Sequence, residues 1–176
     1  MKVSDHAEKP CPVAKATGQV GDTWTLLILR NALLGARQFD DFQRQLGLTR
    51  HVLAQRLRSL VEMDILKRVP ARPGSTRMAY QLTTKGRDLQ PVILALANWS
   101  NKWLFDDQPL PLSYHHKDCA QATQPTMCCS ECGGKLHAGN TAMTMGPQVA
   151  NIVDQCEHPQ DAENLGYPVA FIARAK

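Results

Sequence analysis

The sequence predicts a mainly α fold of the α+β class: a winged helix-turn-helix with a long C-terminal dimerisation helix and a small cysteine-rich, zinc-ribbon-like tail. Three observations predict it. Two amphipathic segments are separated only by Gly47-Leu48, a turn short enough for a helix-turn-helix. The second segment is rich in arginine and leads into two β-prone runs closed by Pro73-Gly74-Ser75-Thr76. Four of the six cysteines then fall within 14 residues, at 119, 128, 129 and 132.

Residues 12–19 read as a short helix, with Cys11 at or near its N-cap and Pro12 at the first helical position, where a missing N–H is harmless. Gly21-Asp22 interrupts it, and Asp22 can cap the next helix. Trp24, Leu27, Ile28 and Leu34 give helical spacing to residues 23–34, which Gly35 ends. Phe39, Phe42 and Leu46 lie at i, i+3 and i+7, so residues 38–46 form a second helix stopped by Gly47. Thr49 opens a third, running to about Met63, in which Leu53, Leu57 and Leu60 share one face. The opposite face carries His51, Gln55, Arg58, Ser59 and Glu62, with Arg50 in the first turn.

Residues 66–72 and 77–82 read as the two strands of a wing, made cationic by Lys67, Arg68, Arg72 and Arg77. Thr83 or Thr84 caps a long final helix reaching about Phe105, whose stripe is Leu89, Val92, Ile93, Leu96, Trp99 and Trp103. Pro91 inside it predicts a kink or a later start. The stripe exceeds what a small winged domain needs for its own core. A homodimer interface is the sharper reading and intramolecular packing the plainer one. Asp106-Asp107-Gln108-Pro109 reads as a linker, which divides the chain into a DNA-binding and dimerisation domain at 1–107 and a cysteine-rich extension at 108–176. Residues 114–140 hold little periodic hydrophobicity. Residues 141–176 are the least informative, with one strand readable at 168–173.

Composition bounds the function. A hydrophobic content of 43% over 176 residues supports one domain and an appendage. The N-terminus mixes charges without an apolar run, so no secretory segment is expected, and no apolar run approaches the roughly 20 residues that span a bilayer. A cytoplasmic protein with no membrane partner is the expectation. The net charge of +4 conceals an asymmetry: residues 30–88 hold twelve basic and five acidic residues, whereas 106–176 hold four and eight. A basic excess on one module is the footprint of a phosphate-binding surface; the plainer reading is a solvated basic face. No Ser/His/Asp set, carboxylate pair or glycine-rich phosphate loop is present, so an enzyme is not expected.

A helix that reads base edges must present bidentate donors and acceptors, as arginine does to guanine and glutamine to adenine. Arg50, His51, Gln55 and Arg58 are placed for this. Arg44, Arg56, Arg72 and Arg77 are better placed for phosphates, which fix register and carry little sequence information. The hydroxyl of Thr49 can serve its own helix and a phosphate as well. Arg58 has a rival partner in Glu62 at i+4. For His51, an ordinary exposed histidine is the rival reading.

These residues resemble a known family. Cys11-Pro12-Val13-Ala14, Gly21 to Arg30 (GDTWTLLILR), Gly35-Ala36-Arg37-Gln38-Phe39, Leu53 to Leu60 (LAQRLRSL) and Tyr80 to Arg87 (YQLTTKGR) are similar to HxlR-type winged helix-turn-helix regulators, a group related in fold to MarR, in order and spacing over about residues 11–103. The resemblance implies a homodimeric transcription factor that dimerises through terminal helices and binds double-stranded DNA at a pseudo-palindromic operator, as a repressor or an activator. Asp64-Ile65 stands where the family often places a glycine, a departure that bears on how the chain turns into the wing.

Two thiol sites remain. Cys11 matches the position that several HxlR-type members use to sense quinones, aldehydes or disulfide stress. Independently, a thiol at a helix N-terminus between Lys9 and Lys15 is expected to have a lowered pKa and to react with an oxidant or small electrophilic effector. The plainer reading is a small buried apolar residue. The second site is His116-x-x-Cys119 with Cys129-x-x-Cys132-Gly133. Four N/S ligands at these spacings suit one structural zinc ion per chain, replacing a core that the stretch lacks. His115 or Cys128 can substitute, and Cys156-x-His158 is a spare pair. The rivals are a redox dithiol of Cys129 and Cys132 and free thiols. Two functions of other classes compete with a DNA-binding regulator. A winged-helix protein-interaction module is opposed by the charge excess. A thiol oxidoreductase on Cys129/Cys132 lacks the βαβ context of such sites.

Overall fold

The computed structural model describes residues 9–105, 109, 110 and 112–156. Its elements are α1 (Pro12–Val20), α2 (Thr23–Leu33), α3 (Phe39–Leu46), α4 (Arg50–Glu62), β1 (Leu66–Pro70), β2 (Met78–Leu82), α5 (Thr84–Arg87), α6 (Gln90–Trp103), β3 (Tyr114–His115), β4 (Ala122–Thr123) and α7 (Pro147–Asp154). They divide into two compact units. Thr23–His137 form one; the described residues of Met1–Asp22 and Ala138–Lys176 form the other. Of the linker expected at 106–109, residues 106–108 lie outside the described residues, and the cysteine-rich stretch up to His137 falls in the same unit as the winged helix.

The local chemistry explains where the helices start and stop. The N–H of Gln38 donates to the Asp41 carboxylate (3.2 Å), closing the start of α3. Gly47 ends it in the left-handed region (φ 65°), its N–H bonding the Gln43 carbonyl. Thr49 caps α4 by accepting from the Val52 N–H at 3.4 Å. At the far end of α4, the Asp64 N–H bonds the Val61 carbonyl and the Ile65 N–H bonds the Leu60 carbonyl, with Asp64 at φ 56°. This is the six-to-one and five-to-two closure that usually takes glycine. Aspartate is among the few side chains that tolerate the left-handed region, so the chain turns into the wing without the glycine.

The wing pairs Leu66 with Leu82 through to Pro70 with Met78, antiparallel. The strands are shorter than the sequence suggests, because the chain from Ala71 to Arg77 is taken up by the turn, with the Ser75 N–H on the Arg72 carbonyl and Gly74 at φ 76°. The Tyr80 N–H donates to the Arg37 carbonyl (2.8 Å), tying the wing to the loop before α3. Thr83, not Thr84, is the cap: it accepts from Gly86 N–H and donates to the Asp64 carbonyl. The helix it starts is only the single turn α5. Pro91 then sits in the first turn of α6, the later start expected of it.

Phe42, Ile28, Leu29, Leu53, Leu57, Leu60, Ile65 and Leu66 are fully buried and form the core of this unit. α2 lies at its centre, touching α3, α4, β2 and α6, and Phe42 meets Tyr80 edge-to-face at 6.3 Å. The buried Asn31 is satisfied by Arg30 Nε (2.8 Å) and by donating to Gln45 Oε1 (2.9 Å), which links α2 to α3. Leu53, Leu57 and Leu60 point inward as their spacing requires.

In the other unit, Val149 and Val153 of α7 are buried with Met145, Ile152 and Cys156 packed against them. The sequence did not predict this helix, although Val149, Ile152, Val153 and Cys156 lie at i, i+3, i+4 and i+7. The strand expected at 168–173, and His158, lie outside the described residues. Among the described residues no helix is long and apolar enough to cross a membrane.

Candidate nucleic-acid interface

α4 is the candidate interface because its two faces are chemically opposite. The leucine face is buried against the core, which forces His51, Gln55 and Arg58 outward, and all three are exposed. Among the described residues Arg58 has no ion-pair partner, so the rival pairing with Glu62 is not formed. His51, Gln55 and Arg58 stand at i, i+4 and i+7, one stripe of two donors and an amide along the outer side of the helix. Arg56 is half-buried and belongs to the flank.

Arg50 is held differently. Its Nη1 donates to Gln43 Oε1 (3.2 Å) and lies 3.8 Å from Asp40 Oδ1, while the guanidinium sits 4.9 Å over the Phe39 ring. Arg77 of the wing donates to the other oxygen of Asp40 at 2.8 Å. Arg44 pairs with Asp41 at 2.7 Å. Arg72 is exposed at the wing turn. The expected contact residues therefore gather along α4, α3 and the wing, but three of the cations are tethered to two aspartates that sequence reasoning did not single out. The available signal was the pair Asp40-Asp41 in the first turn of a helix, a position that suits acids.

Part of the basic excess serves the fold. Lys85 Nζ donates to the Met63 carbonyl at the end of α4 (2.8 Å), and Arg87 donates to the Leu82 carbonyl and Thr84 Oγ1. Arg30 is spent on Asn31. Charge counting cannot separate these from cations that face solvent.

The cysteine-rich stretch repeats one turn twice. In His116–Cys119 the Ala120 N–H bonds the His116 carbonyl (2.7 Å), with Ala120 at φ 58°. In Cys129–Cys132 the Gly133 N–H bonds the Cys129 carbonyl (2.9 Å), with Gly133 at φ 70°. His116 Nδ1 lies 3.3 Å from Cys119 Sγ. The backbone N–H of Cys132, then that of Glu131, then the Cys132 side chain, bond the Cys129 sulfur and hold its thiol below the ordinary range. The four expected ligands thus stand as two pairs. Among the described residues no three His, Cys, Asp or Glu side chains converge on one point. Cys11 sits half-buried at the N-cap of α1, its carbonyl accepting from the Lys15 N–H, with Pro12 in the first turn. None of the six cysteines is in a disulfide.

Comparison with known proteins agrees with this architecture. The HxlR-like helix-turn-helix family profile matches residues 19–108. The HTH-type transcriptional regulator MT3179 of Mycobacterium tuberculosis is 38% identical over 149 residues, covering 84% of this chain and 94% of the relative. YvaP, an HTH-type transcriptional regulator of Bacillus subtilis, is 32% identical over 53% of this chain and 89% of its own. Among solved structures, PA1607, described as a candidate transcription factor, superposes with a TM-score of 0.72 at 34% identity, over 80% of this chain and 99% of that one. PA1374 from Pseudomonas aeruginosa, described likewise, gives 0.54 at 29% identity, over 78% and 93%.

Proposed function

The chain belongs to the HxlR-like helix-turn-helix family of transcriptional regulators, which are not enzymes, and from that premise we propose that it acts in the cytoplasm as a homodimer on a pseudo-palindromic double-stranded DNA operator. The observation that carries the reading is the exposed stripe of His51, Gln55 and Arg58 on α4, flanked by the cationic wing. Arg58 and Gln55 contact base edges; Arg44, Arg56, Arg72 and Arg77 contact phosphates, and Arg50 and Thr49 stand at the start of the helix between the two. The dimer is supported by α6, where Val92, Leu96, Trp99 and Trp103 are 46–59% exposed on one helix.

Arg58→Ala lowers affinity for a duplex selected from a randomised pool by about 1–3 kcal/mol while affinity for mixed sequence changes less. Equal losses on both, read by fluorescence anisotropy, would demote Arg58 to a phosphate contact.

The two thiol sites take different roles, control at Cys11 and structure in the cysteine-rich stretch. Cys11 at the start of α1 responds to oxidants or electrophiles. The matching measurement is DNA binding by Cys11→Ser before and after diamide or a quinone: binding is retained and the response is lost, and a variant that still responds like wild type places the sensor elsewhere. His116, Cys119, Cys129 and Cys132 hold one structural zinc ion per chain. The support is the repeated turn, which presents two N/S donors each time on backbone of the same shape.

A further inference from the structure

Asp40 has no role in the cap of α3, since Asp41 accepts from Gln38 and pairs with Arg44. Its carboxylate instead reaches both halves of the DNA face. One oxygen accepts from Arg77 of the wing at 2.8 Å, and the other lies 3.8 Å from Arg50 at the start of α4. All three side chains are more than half exposed, at 53%, 62% and 70% for Asp40, Arg77 and Arg50. A carboxylate and a phosphate present the same kind of oxygen pair to a guanidinium fork. Any duplex that uses these two arginines must therefore take them from Asp40, and must also bring its phosphates near a carboxylate.

We propose that Asp40 is an internal competitor that occupies Arg50 and Arg77 and weakens binding to DNA, so that DNA of arbitrary sequence is held poorly. Exposed ion pairs are weak and salt-screened, so a polyanion displaces the carboxylate readily. The displacement is charged against every sequence alike. A cost common to all sequences lowers every duplex affinity by the same factor, so at a given protein concentration only a duplex with further base-edge contacts stays bound. This inference rests on the DNA-binding role proposed for the α4 face.

The test uses the full-length protein and a labelled mixed-sequence duplex, titrated by anisotropy over a series of KCl concentrations. Asp40→Asn removes the charge and keeps the shape, and Asp40→Ser keeps a residue suited to a helix start. Both are expected to bind mixed-sequence DNA about 3- to 10-fold tighter near 0.1 M salt, with a log–log salt slope steeper by about 1 to 2 as the freed cations meet phosphates. In an Arg50→Gln/Arg77→Gln background, Asp40→Asn should give no gain. Affinity unchanged or weakened in the single variants, or the same gain without the two arginines, overturns the role given to Asp40. Wild-type protein that shows no salt-dependent binding to any duplex overturns the DNA reading itself, and the two failures are distinct.

Discussion

Two stretches of the same unit are held together by different physics. Between Ile28 and Leu82 the chain buries Phe42, Leu53, Leu57, Leu60, Ile65 and Leu66 completely, and each buried aliphatic or aromatic side chain contributes roughly 1.5–3 kcal/mol by leaving water. Between Tyr114 and His137 nearly every residue is exposed, and the backbone is ordered by two short turns, the two-stranded β3–β4 pair and the bonds that join Met127–Cys129 to Gly134–Leu136. A two-stranded ribbon is marginal alone in water. The contrast teaches where each stretch finds its order: the first in apolar packing, the second in local backbone turns and short strands.

The sharpest way to break that contrast is to remove metal. With zinc bound, the stretch from His116 to Cys132 owes its order to ligation, which in small metal-held modules is worth on the order of 10 kcal/mol. A chelator, or Cys132→Ser, is then expected to abolish amide protection across residues 116–136 and to leave protection on α2, α4 and β2 intact, read residue by residue by hydrogen exchange. Metal analysis of the untreated protein should give about one zinc per chain. Protein that purifies without metal and keeps the same exchange pattern in chelator would show that the turns hold themselves without zinc.

Legibility from the residues divides along the same line. The winged helix was readable because its signals are periodic: Leu53, Leu57 and Leu60 fix the inner face of α4, and that in turn fixes His51, Gln55 and Arg58 outward. Thr49, Gly47 and Gly35 marked boundaries because caps and left-handed turns restrict residue type. The tethers of Arg50 and Arg77 to Asp40 were not readable, since they join α3, α4 and the wing across 10 and 37 positions of sequence and obey no period. α7 was missed for another reason: four apolar residues over two turns, opening on Pro147, fall short of a run long enough to stand out. In the cysteine-rich stretch the spacing offered four N/S candidates but could not show that one turn is built twice.

A paired truncation tests the contrast from the packing side. Leu57 has no exposed surface, so Leu57→Ala removes buried methyl groups and leaves a cavity. It is expected to cost about 2–5 kcal/mol, a large share of the roughly 5–15 kcal/mol typical of a domain, and to move the urea midpoint accordingly. Leu136 makes the same truncation available in the other stretch. It is 39% exposed, and its backbone N–H, which the mutation keeps, bonds the Met127 carbonyl. Leu136→Ala should therefore cost below about 1 kcal/mol, as surface substitutions do, whether or not metal is bound. If it costs as much as Leu57→Ala, the cysteine-rich stretch has an apolar anchor of its own, and the contrast with the winged helix fails.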